Sequence, residues 1–182
     1  MFFFVSFVIY FGNLARLVVS TNVSYQIRSQ VPEDLPDLYK MVKVAFEVAQ
    51  QSNGNEHEVV RKLSKSKKFI HSLSLVCLLE KDIVGQMMLT EASIIDAKGY
   101  KQKSLELGPL SVNFLHRGLG IGSALIKEGI HRAKDMGYQS IFVHGDSDYF
   151  SRFGFQDASS LGFSPLSVGA SPLLILELNS GT

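Results

Sequence analysis

One cysteine, Cys77, stands in 182 residues, so no internal disulfide can form. That scarcity fits a reducing compartment. The five histidines (His57, His71, His116, His131, His144) are scattered, share no metal spacing with cysteine, and none reads as a ligand. The formal net charge is only +1, which leaves no basic footprint for nucleic acid. A spanning helix needs roughly 20 apolar residues. The run Met1 to Tyr10 (MFFFVSFVIY) is shorter, is interrupted by Asn13 and Arg16, and lacks the positive leader of a secretory signal. Residues 1–23 are therefore read as an apolar extension outside the core fold, in preference to a membrane anchor or an uncleaved signal. Residues 24–182 are read as one domain, expected in the cytoplasm. Hydrophobic residues make up 46% and charged residues 19%, which favours a folded chain over disorder.

Periodicity supplies the elements. Tyr25 to Arg28 alternates as a strand. Pro32, Glu33 and Asp34 suit a first helical turn. Leu35, Leu38, Val42, Ala45, Phe46 and Ala49 continue at helical spacing to about Gln50. A more polar helix is expected from Glu56 to about Lys67. Its lysines (Lys62, Lys65, Lys67, Lys68) read as a solvated face. Leu73 to Glu80 and Ile83 to Ile95 are apolar runs joined at Lys81-Asp82, an antiparallel hairpin signal. Ala97 to Gln102 reads as a loop. Leu105 to Val112 follows as a strand interrupted by Gly108-Pro109. A helix runs from near Gly120 to Gly137, a natural stop. Ser140 to His144 is a strand, and Asp146 to Phe153 a short helix capped by Asp146 or Ser147. Ser159 to Gly169 is a loop, and Leu173 to Leu178 a last strand. The order β-α-α-β-β-β-α-β-α-β predicts an α/β (α+β) mixed sheet with helices on both faces.

The informative stretch is Arg117-Gly118-Leu119-Gly120-Ile121-Gly122-Ser123. Alternate glycines between a strand and a helix let the backbone turn left-handed and approach a ligand. The helix that follows has unpaired first amides and a positive dipole end, together an anion site. Arg117 can add a charge-assisted contact. A Walker loop would close with Gly-Lys-Ser/Thr, but Gly122-Ser123-Ala124 has no lysine. A dinucleotide fingerprint would order its glycines G-x-G-x-x-G after a first strand, and here they alternate after the fourth. A tight turn with no ligand is the plain alternative.

The loop resembles the Q/R-x-x-G-x-G/A acetyl-CoA signature of the GNAT superfamily. Leu107-Gly108-Pro109-Leu110-Ser111-Val112 before it resembles the YhbS-like bacterial branch. So do Gly145-Asp146 and Arg152-Phe153-Gly154-Phe155 after it, and the terminal Leu176-Glu177-Leu178. The similarity covers about Tyr25 to Leu178. It implies a GNAT-type acyl-CoA N-acyltransferase fold, a central mostly antiparallel sheet flanked by helices and splayed at the fourth and fifth strands. It also implies acetyl transfer from acetyl-CoA to a primary amine of a small molecule or protein, with no metal.

On that resemblance, acetyl-CoA is held by Leu110, Ser111, Val112, Arg117, Gly118, Leu119, Gly120, Ile121, Gly122 and Ser123. Gly108-Pro109 marks the break in the strand, and Leu110 is the first backbone donor for the oxyanion, since Pro109 has no N–H. Glu106 and Glu91 are candidates for the base, each equally readable as an exposed strand carboxylate. Many family members place a tyrosine where this chain has Phe150. Tyr149, one residue away, is the candidate general acid, or else a packing residue. That departure keeps a coenzyme-A-binding sensor or pseudoenzyme open as the alternative. Cys77 reads as a small buried hydrophobe and not as a nucleophile. Monomer and homodimer are both open, and the acceptor pocket is expected from the first two helices and the Ser159 to Gly169 loop.

Overall fold

The computed structural model describes residues 24–47, 56–95, 101–164 and 171–178. The apolar extension 1–23 lies outside the described residues. Seven strands form one sheet in the order β1-β2-β3-β4-β5-β7-β6. They are β1 (Tyr25–Ser29), β2 (Phe69–Leu79), β3 (Asp82–Ile95), β4 (Lys101–Val112), β5 (Ser140–His144), β6 (Gln156–Asp157) and β7 (Leu173–Glu177). The helices are α1 (Leu35–Glu47), α2 (Glu56–Ser64), α3 (Ile121–Asp135) and the short α4 (Ser147–Phe150). Among the described residues, β4 and β5 are the one parallel pair; the remaining pairs are antiparallel.

Alternation along β2 and β3 divides the core between the two faces. Leu73, Leu75 and Cys77 of β2, with Met87 and Leu89 of β3, pack under Ile121, Leu125, Ile126 and Ala133 of α3. Val76 and Met88 point the other way, into Leu38, Met41, Val42 and Ala45 of α1 and Val60 of α2. Each helix buries one stripe, so the sheet is a layer between helices, as the element order implies. The entry to α1 is fixed by charge. Asp34 closes a 3-10 turn over Pro32–Asp34, accepts the Val31 N–H at 2.8 Å, and takes both Arg28 guanidinium nitrogens at 2.6 and 2.7 Å. These bonds hold its carboxyl below the usual carboxylate range.

The observed elements depart from the expected boundaries in places. The β2–β3 turn is Glu80-Lys81, not Lys81-Asp82, because Asp82 already pairs with Leu79 and Glu80 takes the left-handed conformation at φ 56°. β4 begins at Lys101 inside the stretch expected as loop, since Lys101 to Ser104 pair with Ile95 to Ala92. β2 likewise begins at Phe69. The two-residue β6 was absent from the expected order; it pairs with β7 at Ile175 and Leu174.

The decisive feature is a split in the sheet. Among the described residues, β4 pairs with β5 only through Leu105, Glu106 and Leu107, opposite Ile141, Phe142 and Val143. Beyond that, β4 bulges at Gly108-Pro109 and continues against β3 to Val112, while β5 turns to β7. The expected splay between the fourth and fifth strands is present.

Candidate active site

A cleft of about 510 Å3 opens where the two strands part. One wall is the free edge of β4, at Leu110, Ser111 and Val112. Asn113 donates its N–H to Val84 O on β3. Because successive peptides of a strand face opposite edges, the Leu110 and Val112 N–H groups point away from β3, toward the gap.

The other wall is the loop and the start of α3: Arg117, Gly118, Gly120, Ile121, Gly122 and Ser123 all line it. Gly118 and Gly120 both sit at φ 79°, a left-handed conformation that favours glycine. A Cβ added to either would meet nothing within 4 Å, so both open onto free space. Gly120 has no side chain to cap the helix, and the Ala124 N–H bonds to Gly120 O. The Ile121, Gly122 and Ser123 amides precede that bond, at the positive end of the helix dipole. An anion of several acceptor oxygens suits this cradle.

Of the residues expected around the nucleotide, Leu119 alone does not line the cleft; it is 42% exposed. Arg117 lines the cleft but is turned to α1, where it donates to the Ala45 carbonyl at 2.9 Å. It thus ties the loop to the last turn of α1, whose Ala45 and Phe46 complete that side of the cleft. Glu128 and Arg132, one turn apart on α3, pair at 2.7 Å.

Tyr149 and Phe150 have separate roles. Phe150 is buried against Gly145 and Phe155 in the core. Tyr149 projects into the cleft, its hydroxyl 3.0 Å from where a Cβ on Gly122 would stand. Its ring packs edge-on to Phe150, and the Arg152 guanidinium covers it at 4.5 Å. Asp146 caps α4 by accepting the Asp148 and Tyr149 N–H groups, which sets the angle of the tyrosine.

Three cleft features escaped the sequence reading. Arg152 lines the cleft as a cation beside Tyr149. His116 lines it too, with a buried Nδ1 that finds no partner among the described residues. Gln86 of β3 is buried, and its amide donates to Pro109 O at 3.2 Å and to Ser111 Oγ at 3.0 Å, fastening the bulge. A lone glutamine inside the apolar run IVGQMML was the available signal for the last.

The candidate bases part company. Glu91 pairs across from Leu105, on the α3 side, and lies close enough to Tyr138 to help burial raise that phenol. Glu106 lies on the other face and lines a second cavity of about 300 Å3, with Phe142 and His144 of β5 and Gly162, Phe163 and Ser164 of the following loop. The expected loop contributes there; α1 and α2 do not, and residues 165–170 lie outside the described residues. Cys77 is fully buried, and burial pushes its thiol up to about 11, which removes it as a nucleophile. Among the described residues, no three His, Cys, Asp or Glu side chains gather as metal ligands.

The family model for the acetyltransferase (GNAT) family matches residues 35–155, which span the cleft and both strands of the split. The N-acetyltransferase YjhQ of Escherichia coli (strain K12) is 34% identical over 103 residues, 56% of this chain and 55% of that protein. The N-acetyltransferase YhbS of the same strain is 28% identical over 134 residues, 73% of this chain and 74% of its own. The chain therefore spans about half of the first relative and about three quarters of the second. A crystal structure of a GNAT acetyltransferase from Brucella melitensis, in complex with acetyl-CoA, superposes with a TM-score of 0.71 at 27% identity. That match covers 88% of this chain and 92% of that one. The structure of Escherichia coli YhbS in complex with CoA gives a TM-score of 0.72 at 23% identity, over 88% of this chain and 84% of that one, a likeness of fold. Glycine loop, split sheet and family model agree, and the chain belongs to the GNAT acetyltransferase family, in its YhbS-like branch.

Proposed function

We propose that this chain moves the acetyl group of acetyl-CoA to a primary amine by direct attack. The observation that carries the reading is the single cleft in which the glycine-lined start of α3 faces the unpaired edge of β4. The diphosphate suits the Ile121, Gly122 and Ser123 amides, with Arg152 and His116 as further polar groups. The pantetheine arm then lies along Leu110, Ser111 and Val112, replacing the missing strand partner.

The chemistry follows from this placement. The amine nitrogen attacks the thioester carbonyl carbon, and the oxygen gains charge. The Leu110 N–H, turned to the gap, is the donor for it. The intermediate collapses, the C–S bond breaks and an amide remains. Tyr149 gives its proton to the departing thiolate, and the second proton lost by the acetylated nitrogen as the intermediate collapses restores the phenol. A free alkylamine has a pKa of about 10.4, so it arrives mostly protonated. Glu106, exposed beside the break and lining the second cavity, takes that proton in this reading. A cytoplasmic setting is part of this reading. Among the described residues no helix is long and apolar enough to cross a membrane.

The test has two readouts. Acetyl-CoA at about 100 times its dissociation constant adds about 2.7 kcal/mol of stability, visible as a thermal shift. Free thiol released above the blank in the presence of amines reports transfer. Binding without release on any amine identifies a coenzyme-A sensor instead.

A further inference from the structure

The second cavity differs in chemistry from the first. Its walls are Ile94 of β3, Phe142 of β5, Phe163 of the loop and Leu173 of β7. Phe142 and Phe163 meet edge to face at 5.6 Å, forming an aromatic corner. Among the described residues, its titratable groups are one carboxylate, Glu106, and one imidazole, His144, and neither lysine nor arginine lines it. Its position is equally defined. Glu106 stands on β4 two residues before Gly108, and His144 ends β5 just past the last β4–β5 pair, so the cavity borders the break from the side opposite Leu110.

We propose that this cavity selects a small monoamine with an apolar, preferably aromatic, body; the proposal rests on the transfer reading above. The amine end meets Glu106, the sole anionic group on the described wall, and the body fills the corner between Phe142 and Phe163. Two acceptor classes are disfavoured by the same residues. An amino acid brings a carboxylate close to that of Glu106, and among the described residues no lysine or arginine lines the cavity to offset the repulsion. A polyamine brings further ammonium groups, and a single carboxylate neutralises only one. A volume of about 300 Å3 lies at the small end of ligand sites, which fits a compact molecule.

The experiment measures thiol release by the full chain at saturating acetyl-CoA with phenylethylamine, phenylalanine, spermidine and a short peptide with a free N-terminus. Phenylethylamine and phenylalanine differ by one carboxylate, so their ratio isolates that charge. The expected kcat/KM for phenylethylamine exceeds each of the others at least tenfold. Phe163→Ala should raise the KM for phenylethylamine at least tenfold and leave the KM for acetyl-CoA unchanged, which also shows that the variant folds. Ile94→Arg should lift the use of phenylalanine relative to phenylethylamine. Equal or better turnover of phenylalanine, spermidine or the peptide overturns this inference and leaves the transfer reading standing. An unchanged amine KM in Phe163→Ala does the same. Acetyl-CoA binding with no release on any amine overturns the transfer reading itself, and this inference with it.

Discussion

Gly120 and Gly137 bracket α3 and share one backbone state, φ 79° and φ 76°, with nothing within 4 Å of an added Cβ. Only Gly120 faces the cleft. Replacing either by leucine puts an L-residue in the left-handed region, which costs about 1–2 kcal/mol. For a chain of 182 residues, each kcal/mol lowers Tm by about 2–4 °C, so both variants should melt about 2–8 °C early. Their effects on the ligand should differ. At Gly120 the side chain fills the space in front of the Ile121 and Gly122 amides. A hydrogen bond to a charged acceptor contributes about 1.5–3 kcal/mol, so losing even one weakens acetyl-CoA about tenfold or more. Calorimetric titration of both variants reads this directly. Gly137→Leu should bind acetyl-CoA as the unaltered chain does, and Gly120→Leu should lose at least tenfold. Equal affinity in the two would refute the placement of the diphosphate at this loop.

Tyr149→Phe keeps the ring against Phe150 and removes the hydroxyl; kcat should fall by about a hundredfold or more, with the KM for acetyl-CoA nearly unchanged, in steady-state thiol release. An unaltered kcat would remove it as the acid. Asp34→Ala should cost about 1.5–3 kcal/mol at neutral pH, read by urea unfolding, because Arg28 and the Val31 N–H lose their acceptor. Asp34 is held below its ordinary value, so its contribution is full above the usual carboxyl range and is lost as pH falls through the depressed folded value. The gap between the two proteins should therefore shrink in acid. Cys77 should resist thiol reagents at pH 8 in the folded chain and react on unfolding, since it is buried and its thiol is raised to about 11.

The glycine loop was legible because its signal is residue type itself: few residues other than glycine suit φ 79° at two alternate positions. The interruption of β4 was legible for the same reason, since Gly108-Pro109 breaks a largely apolar strand; the splay of β4 from β5 was implied by the family resemblance and not by these residues alone. Short or polar pairing was not. β6 has only Gln156 and Asp157, too few to show a period, and Lys101 to Ser104 join β4 through backbone bonds that no side chain announces. The residues in and beside the cleft that were missed come from separate elements. Gln86 is on β3, His116 before α3 and Arg152 after α4, and only the folded sheet brings them together. Tyr149 was readable as a candidate, but its direction was not. Two aromatics about 100° apart on one turn give no cue to which is buried, and the Phe150 ring lying under Gly145 decides it.

The central claim is that the open amides at the start of α3 grip the diphosphate of acetyl-CoA. Titrating nitrogen-15-labelled protein with acetyl-CoA tests it most directly. The account predicts that the Ile121, Gly122 and Ser123 amide resonances move most and saturate together, with Leu110 and Val112 following. Saturable binding that leaves those five amides in place would contradict it.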